Sequence, residues 1–269
     1  MKKKENRLNT IIGMLREQPT LTIRELASVL DVSEMTIRRD LAKLKDSGLL
    51  VRALGMNMIW NAQQKGISPV KYDFHNEITR NSEAKRKIAM KAVELINARD
   101  VIILDSSTTV SMMVPYIPAD YPLTVITNNY DIISKISKGK AIELVGVGGV
   151  YNHDLRMFES DEGLHLIRAH RANKYFFSTS GIHSKLGLTC SYSYEVLSKR
   201  ASLESSAESI LLADSSKFDV VVTSYFAKLQ DCNTIITDSG ISSEWENLIR
   251  NMGIKLYIVW VLNNKYLLH

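Results

Sequence analysis

Cysteine is scarce, with Cys190 and Cys232 the only two in 269 residues. They form no CxxC pair and no framework, so a disulfide-built secreted scaffold is excluded and a reduced, cytoplasmic protein is the expectation. Cys190 is read as a packing residue, the usual behaviour of a cysteine with no base beside it. Long apolar runs are missing as well. The longest, from Ile254 to Leu262, is interrupted by Lys255 and falls well short of the roughly 20 residues a membrane-spanning helix needs. The opening Met1-Lys2-Lys3-Lys4 leads into no apolar stretch with a cleavage site, so no secretory signal is expected. Internal repeats and low-complexity segments are absent, which argues against solenoids and disordered arrays. The six histidines are scattered, and His165 and His170 are five apart, a spacing that does not share a helix face. No metal site is expected. Gly146-Val147-Gly148-Gly149 starts like a dinucleotide fingerprint, but its third glycine falls on Tyr151, so that reading fails and no cofactor is expected.

What remains is an ordinary globular composition, 45% hydrophobic and 23% charged, on a length that suits one small and one medium domain. The charge is unevenly placed. Residues 1–55 carry 11 Lys or Arg against 7 Asp or Glu, and the rest of the chain carries 23 against 22. A basic head on a neutral body points to a polyanionic partner for the head.

The head has a helical pattern in three pieces. Leu8, Ile11, Ile12 and Leu15 line one face of a first helix, which Pro19 ends. Thr22 and Glu25 are spaced as a capping box for a second helix with Ile23, Leu26, Ala27 and Leu30 inward. Ser33 is the N-cap of a third helix reaching about Asp46, Gly48 closes it, and Leu49 to Arg52 reads as a short strand. Three helices, a tight turn and a strand make a winged helix-turn-helix. Placing Ile37, Leu41 and Leu44 in the core turns Met35, Thr36, Arg39 and Lys43 outward, with Arg38 at the flank. Threonine and arginine are suited to base edges in a major groove, lysine to phosphates. The expected DNA contacts are Ser33, Met35, Thr36, Arg38, Arg39, Lys43 and Arg52, with double-stranded operator DNA as partner.

The expected boundaries are a head over 1–57, a linker over 58–81, and a body over 82–269. The body opens with a helix over Ser82 to Asn97. Strands follow at Val101 to Leu104, Leu123 to Ile126, Ile142 to Val145, Tyr175 to Phe177, Ile210 to Leu212, Thr234 to Ile236 and Leu256 to Val259. Helices over Asn129 to Ser137 and Glu195 to Ser209 alternate with them. The fold class is α/β, a mostly parallel sheet covered on both faces.

Arg24-Glu25-Leu26-Ala27 and the run Val32-Ser33-Glu34-Met35-Thr36-Ile37-Arg38-Arg39-Asp40-Leu41, followed by Leu44 and Gly48, resemble the DeoR family of bacterial sugar-metabolism regulators. The wing departs from the family pattern, with Gly55 alone where a glycine pair is usual. The resemblance implies a body similar to ribose-5-phosphate isomerase that binds a phosphorylated sugar or related metabolite. It places the effector at Asp105-Ser106-Ser107-Thr108-Thr109, Thr127-Asn128, Gly148-Gly149, and at Asp214 and Lys217 within Ala213 to Phe218. A loop of small hydroxyl residues after a parallel strand also suits an anion by its own chemistry; its alternative is a plain helix cap, and for Asp214 and Lys217 a plain turn. Ser107 stands where the family has glycine, an expected constraint on a backbone that needs positive φ. The acidic run Glu159 to Glu162 is expected to oppose a phosphate, and Glu195 with Lys199 is read as a surface pair. Trp260 to His269 has no counterpart in the family pattern.

The resulting expectation is a transcriptional regulator, a repressor of a carbohydrate operon, working as a homo-oligomer whose DNA binding a metabolite modulates. It is not expected to be an enzyme or to meet a membrane. A sugar-phosphate-converting enzyme and a DNA-binding regulator without a small-molecule effector are the alternatives.

Overall fold

The structure is a computed structural model that describes residues 23–46, 50–52, 58–60, 74–118, 120–138 and 141–261, together with Arg7, Thr10, Ile11 and Met14. Side chains of residues 24, 42–46, 50–52, 58–60 and 74–76 lie outside that description, as do Thr22, Gly48 and the wing residues 53–57 in full. The chain divides into two compact units, Met1–Lys71 and Tyr72–His269.

In the first unit, helices Ile23–Val29 and Glu34–Asp46 precede two antiparallel strands, Leu50–Arg52 and Met58–Trp60. Ser33 starts the longer helix: its hydroxyl accepts the Thr36 N–H at 3.2 Å, satisfying an amide that has no intrahelical partner. Ile11, Leu26, Ala27, Ile37 and Leu41 make the core. The phase read for the third helix therefore holds at Ile37 and Leu41. Leu44 lies outside the described side chains.

In the second unit seven strands form one sheet in the order Lys255–Val259, Thr234–Asp238, Ser206–Leu212, Ala172–Phe177, Val101–Leu104, Leu123–Thr127, Ile142–Gly146. Every neighbouring pair is parallel. Each of the seven expected strands lies in this sheet. They read as unbroken apolar runs because both faces are covered. Ile103, Tyr175, Phe177, Leu211 and Ile235 pack on one face, while Ile102, Leu104, Phe176, Ile210, Leu212 and Ile236 pack on the other, against Ile88, Ala89 and Ala92 of the helix Ser82–Val93.

The order has a consequence for ligands. From Val101–Leu104 the chain steps outward to one edge. It then returns to lay Ala172–Phe177 against the other side of the same strand. The loops after these two strands diverge to opposite faces and open a crevice, the usual ligand position in such sheets. A short antiparallel sheet (Gly181–His183, Gly187–Cys190, Ser224–Ala227) follows the second of these strands. Among the described residues no helix is long and apolar enough to cross a membrane.

Two helix ends differ from the sequence reading. The helix expected over Glu195 to Ser209 stops at Glu204, and Ser206 already pairs with Ala172 in the sheet. Serines 205, 206 and 209 give the helix little to continue with, and the sheet ladder outcompetes it. The helix expected to reach Asn97 ends at Val93. Within the stretch expected to be linker, Met58–Trp60 pairs with Leu50–Arg52, and Phe74–Thr79 forms a helix of six residues.

Gly149 has φ 141°, and a Cβ there would sit 2.2 Å from the Glu159 carbonyl oxygen. Gly149 is thus required by the close approach of the neighbouring strand, whereas a Cβ at Gly148 would meet nothing within 4 Å. Gly149→Ala is expected to lower stability by about 1–3 kcal/mol, the usual cost of such backbone strain, measured by urea unfolding of the full chain.

Candidate DNA-contacting face and effector pocket

On the helix Glu34–Asp46, Met35, Arg38 and Arg39 are exposed, and Thr36 is half-buried with its hydroxyl 2.9 Å from that of Ser33. Arg38 meets Glu34 at 3.4 Å in an exposed i,i+4 pair, a contact weak enough to yield to a phosphate or a base. Asp40 is turned inward and pairs with Arg7 at 2.6 Å, tying Arg7 to the helix Glu34–Asp46. Sequence reasoning passed over this pair. Lys43 is helical and Arg52 ends its strand, with both side chains outside the described residues.

In the second unit Asp105 closes the strand Val101–Leu104. Its carboxylate accepts the Lys199 ammonium at 2.7 Å, the Ser178 N–H at 2.9 Å and the Ser107 N–H at 2.8 Å. It thereby pins both crevice loops and one helix. Lys199 also donates to the Ser178 carbonyl at 3.0 Å. Burial pushes the Lys199 amine down, but the Asp105 carboxylate beside it outweighs burial and raises it above its ordinary value, so the ammonium stays protonated. Glu195 lies 3.9 Å from Lys199. Burial pushes its carboxyl up to about 7, against the pull of Lys199. Glu195 and Lys199 are therefore not the surface pair their spacing suggested; both are buried.

Ser107 adopts φ −77°, ψ 152°, and its hydroxyl accepts the Val110 N–H at 3.2 Å. Serine is at ease in this extended conformation, so the expected constraint from replacing glycine does not arise. The helix it caps, Thr108–Ser111, is buried.

A cleft is lined by Ser106, Ser107, Thr108 and Thr109, by Ser178 to Ser180, and by the lysines Lys85, Lys199 and Lys217. Two of the lysines share one carboxylate. Glu77, on Phe74–Thr79, lies 3.1 Å from Lys217 and 3.4 Å from Lys85, and Lys85 also donates to the Glu77 carbonyl. Burial pushes the Glu77 carboxyl up, but Lys217 and Lys85 outweigh it and leave it below its usual range. Asp214 accepts from Asn81 at 2.8 Å and from both donors of Ser216 through one oxygen. Its other oxygen is buried with no partner among the described residues.

Of the residues expected to bind an effector, Ser106 to Thr109 and Lys217 line the cleft. Asp105, Thr127 and Asn128 line a small cavity beside it that shares Ser106 and Lys199. Asp214, Gly148 and Gly149 line neither. The acidic run does not face the cleft: Ser160 caps the helix Asp161–Ala169, and Asp161 and Glu162 sit in its first turn, where the helix dipole favours them. Glu77, Lys85, Lys199 and Ser178 to Ser180 were missed. The signal for Lys85 was present, since it sits three and four residues before the inward Ile88 and Ala89.

Cys190 also lines the cleft. It is buried, and burial pushes its thiol up, as the packing role expected. Trp260 is exposed, its carbonyl accepting from Lys87 at 2.6 Å; residues 262–269 lie outside the described residues.

A helix-turn-helix unit joined to a parallel α/β unit with a cation-lined crevice is the organisation of a DNA-binding transcriptional regulator with a sensor domain. Residues 7–61 match the DeoR-like helix-turn-helix domain, and residues 80–239 match the DeoR C terminal sensor domain. The chain belongs to the DeoR family. It is 32% identical over 94% of its length to an uncharacterized HTH-type transcriptional regulator, YulB, of Bacillus subtilis, covering 96% of that protein. It is 33% identical to an L-fucose operon activator of Haemophilus influenzae, over 86% of this chain and 90% of that one. The lactose phosphotransferase system repressor of Staphylococcus epidermidis is 32% identical, over 88% and 92%. Among solved structures, ribose 5 phosphate isomerase A from Neisseria gonorrhoeae matches with TM-score 0.38 and 15% identity, over 51% of this chain and 53% of that one.

Glu195 gives the sensor unit a pH signature. Its folded-state pKa of about 7 exceeds the ordinary 4.5, so the folded state keeps a proton that the unfolded state has released. Its contribution is fully present below pH 4.5 and falls away as pH rises to 7, by about 3 kcal/mol. Glu195→Gln is expected to remove that part of the slope in urea unfolding free energy between pH 4.5 and 8.

Proposed function

We propose that this chain is a repressor of a carbohydrate operon whose release from operator DNA is driven by a phosphorylated sugar in the crevice. The observation that carries the reading is the convergence of Lys85, Lys199 and Lys217 with the hydroxyl loop Ser106 to Thr109 at the point where the sheet order reverses. Ammonium groups, hydroxyls and backbone N–H groups are the chemistry that recognises a phosphate. The unpartnered oxygen of Asp214 suits a sugar hydroxyl, because a buried acceptor left unsatisfied is costly. Thr127 and Asn128 belong to the second cavity, where the far end of a ligand would extend. Gly148 and Gly149 are left out of this reading, and Lys85 and Lys199 enter it. The names of the relatives, an L-fucose operon activator and a lactose phosphotransferase system repressor, support a carbohydrate setting.

DNA recognition is assigned to Ser33, Met35, Thr36, Arg38 and Arg39, with Lys43 and Arg52 toward phosphates. Helix-turn-helix proteins read paired half-sites, so a dimer or higher oligomer is part of the proposal. Asp105 is held by three donors and is not presented as a general base; Glu195, which lines the cleft with its carboxyl raised to about 7, is the residue an enzyme reading would have to use.

The test is binding of the purified chain to its own upstream DNA, against scrambled competitor, with and without each of a panel of sugar phosphates. Arg39→Ala is expected to weaken specific binding by about 1–3 kcal/mol and relax base preference. Lys217→Met is expected to keep DNA binding and lose release by the sugar phosphate. A Lys217→Met chain still released at the wild-type concentration contradicts the effector assignment.

A further inference from the structure

We propose that Glu77 is an internal stand-in for the effector's phosphate, occupying its seat until the ligand displaces it, and so sets which ligands the sensor answers. This rests on the effector reading above and deepens it. Every lysine of the crevice is already matched by a carboxylate of the chain itself. Lys199 has Asp105, and Lys85 with Lys217 has Glu77. An incoming anion therefore finds no cation unengaged and must replace one of the two carboxylates.

The two are not equally replaceable. Asp105 belongs to the central strand's end and accepts three hydrogen bonds of 2.7–2.9 Å, from Lys199, Ser178 and Ser107. Removing it would strand a buried lysine and unpin both loops. The Glu77 carboxylate is held only by ion pairs among the described residues, at 3.1 Å to Lys217 and 3.4 Å to Lys85 and to Arg80, and accepts no backbone N–H there, although Lys85 also donates to the Glu77 carbonyl. It rides on a helix of only six residues, a length with little stability of its own.

The space points the same way. With Glu77 in place the cleft has a cavity volume of about 30 Å³, room for a couple of waters and far below what a sugar ring needs. Something must move for a sugar phosphate to enter. Glu77 both fills the space and neutralises the cations. A ligand phosphate, with two charges to Glu77's one, would take Lys85 and Lys217 together with the Thr108 hydroxyl that Lys85 already meets at 3.4 Å. A ligand bearing a single carboxylate would gain nothing over the residue it replaces. The sensor is thereby selective for dianions. Displacement also frees Phe74–Thr79, which in chain order is the first element of the sensor unit after the DNA-binding unit. Ligand binding would reach the linker through this helix, a two-state element that the ligand biases.

Inorganic phosphate and acetate serve as probes, with the full-length wild type and Glu77→Gln, an isosteric change that removes the charge. Affinity is read by calorimetry at pH 7.5, and amide hydrogen exchange is followed at residues 74–79. Glu77→Gln is expected to bind phosphate at least tenfold more tightly than wild type, with acetate at least tenfold weaker than phosphate in both. Saturating phosphate is expected to speed exchange at 74–79 in wild type. Glu77→Asp, whose shorter side chain draws back from the lysines, should fall between the two and serves if the glutamine variant does not fold. Equal phosphate affinity in wild type and a folded Glu77→Gln overturns the proposal, as does unchanged exchange at 74–79 or no phosphate binding to either. Release of DNA by sugar phosphates is a separate readout. A chain that responds to a sugar phosphate but shows no Glu77 effect keeps the effector site and loses the stand-in. A tenfold Glu77 effect without any DNA release keeps the stand-in and loses the effector class.

Discussion

The sensor unit is organised around the Asp105 carboxylate. It ends the strand Val101–Leu104 and receives Lys199 together with two backbone amides, one from each loop of the crevice. Burying a carboxylate is costly unless each of its oxygens is met, and here that requirement places the loops. Ser107 is drawn into the extended conformation that lets its hydroxyl start the helix Thr108–Ser111. Ser178 is drawn to the far side of the crevice, where the small antiparallel sheet begins. Lys199 is held within the helix Tyr194–Glu204 at a depth where only a paired ammonium is tolerable. The crevice is shaped by one ion, and its chemistry follows from what surrounds that ion.

What surrounds it is balanced charge. The pocket is neither a basic patch nor an acidic one, because each cation is matched from within the chain. Such a site discriminates by replacement: a ligand is bound to the extent that it serves the lysines better than the chain's own carboxylates do. The buried Glu195, shifted toward neutrality, relieves the pocket near neutral pH of part of a negative charge that would otherwise oppose an anion. The DNA-binding unit uses a similar economy. Asp40 is turned inside the unit to Arg7, which leaves Arg38 and Arg39 outside with, among the described residues, nothing stronger than one exposed pair to give up.

The sheet was legible in the sequence because each strand is an unbroken apolar run, and a fully parallel sheet imposes that pattern on all seven. The third helix was legible because Ser33, Ile37 and Leu41 carry its start and its inward face. The hydroxyl loop and Lys217 were legible by resemblance. The remainder of the site was hidden for a physical reason. Lys85, Lys199 and Glu195 look like solvated helix charges in any local window, and only the tertiary pairing with Glu77 and Asp105 makes them interior. Lys85 could have been suspected from its position on the inward stripe of Ile88 and Ala89. Glu77 could not, because nothing local marks the short helix that carries it. Gly148 and Gly149 illustrate the converse, since a glycine pair that looks like a phosphate loop is explained at Gly149 by backbone packed against Glu159.

The central claim is that the lysine-lined crevice governs DNA binding. Amide hydrogen exchange across the full chain on its operator, before and after adding the sugar phosphate that releases it, tests this most directly. The account predicts new protection at Ser106 to Thr109 and Ser178 to Ser180, with loss of protection along the helix Glu34–Asp46 as the DNA leaves. Release accompanied by protection elsewhere in the sensor unit, with these two loops unchanged, would contradict it.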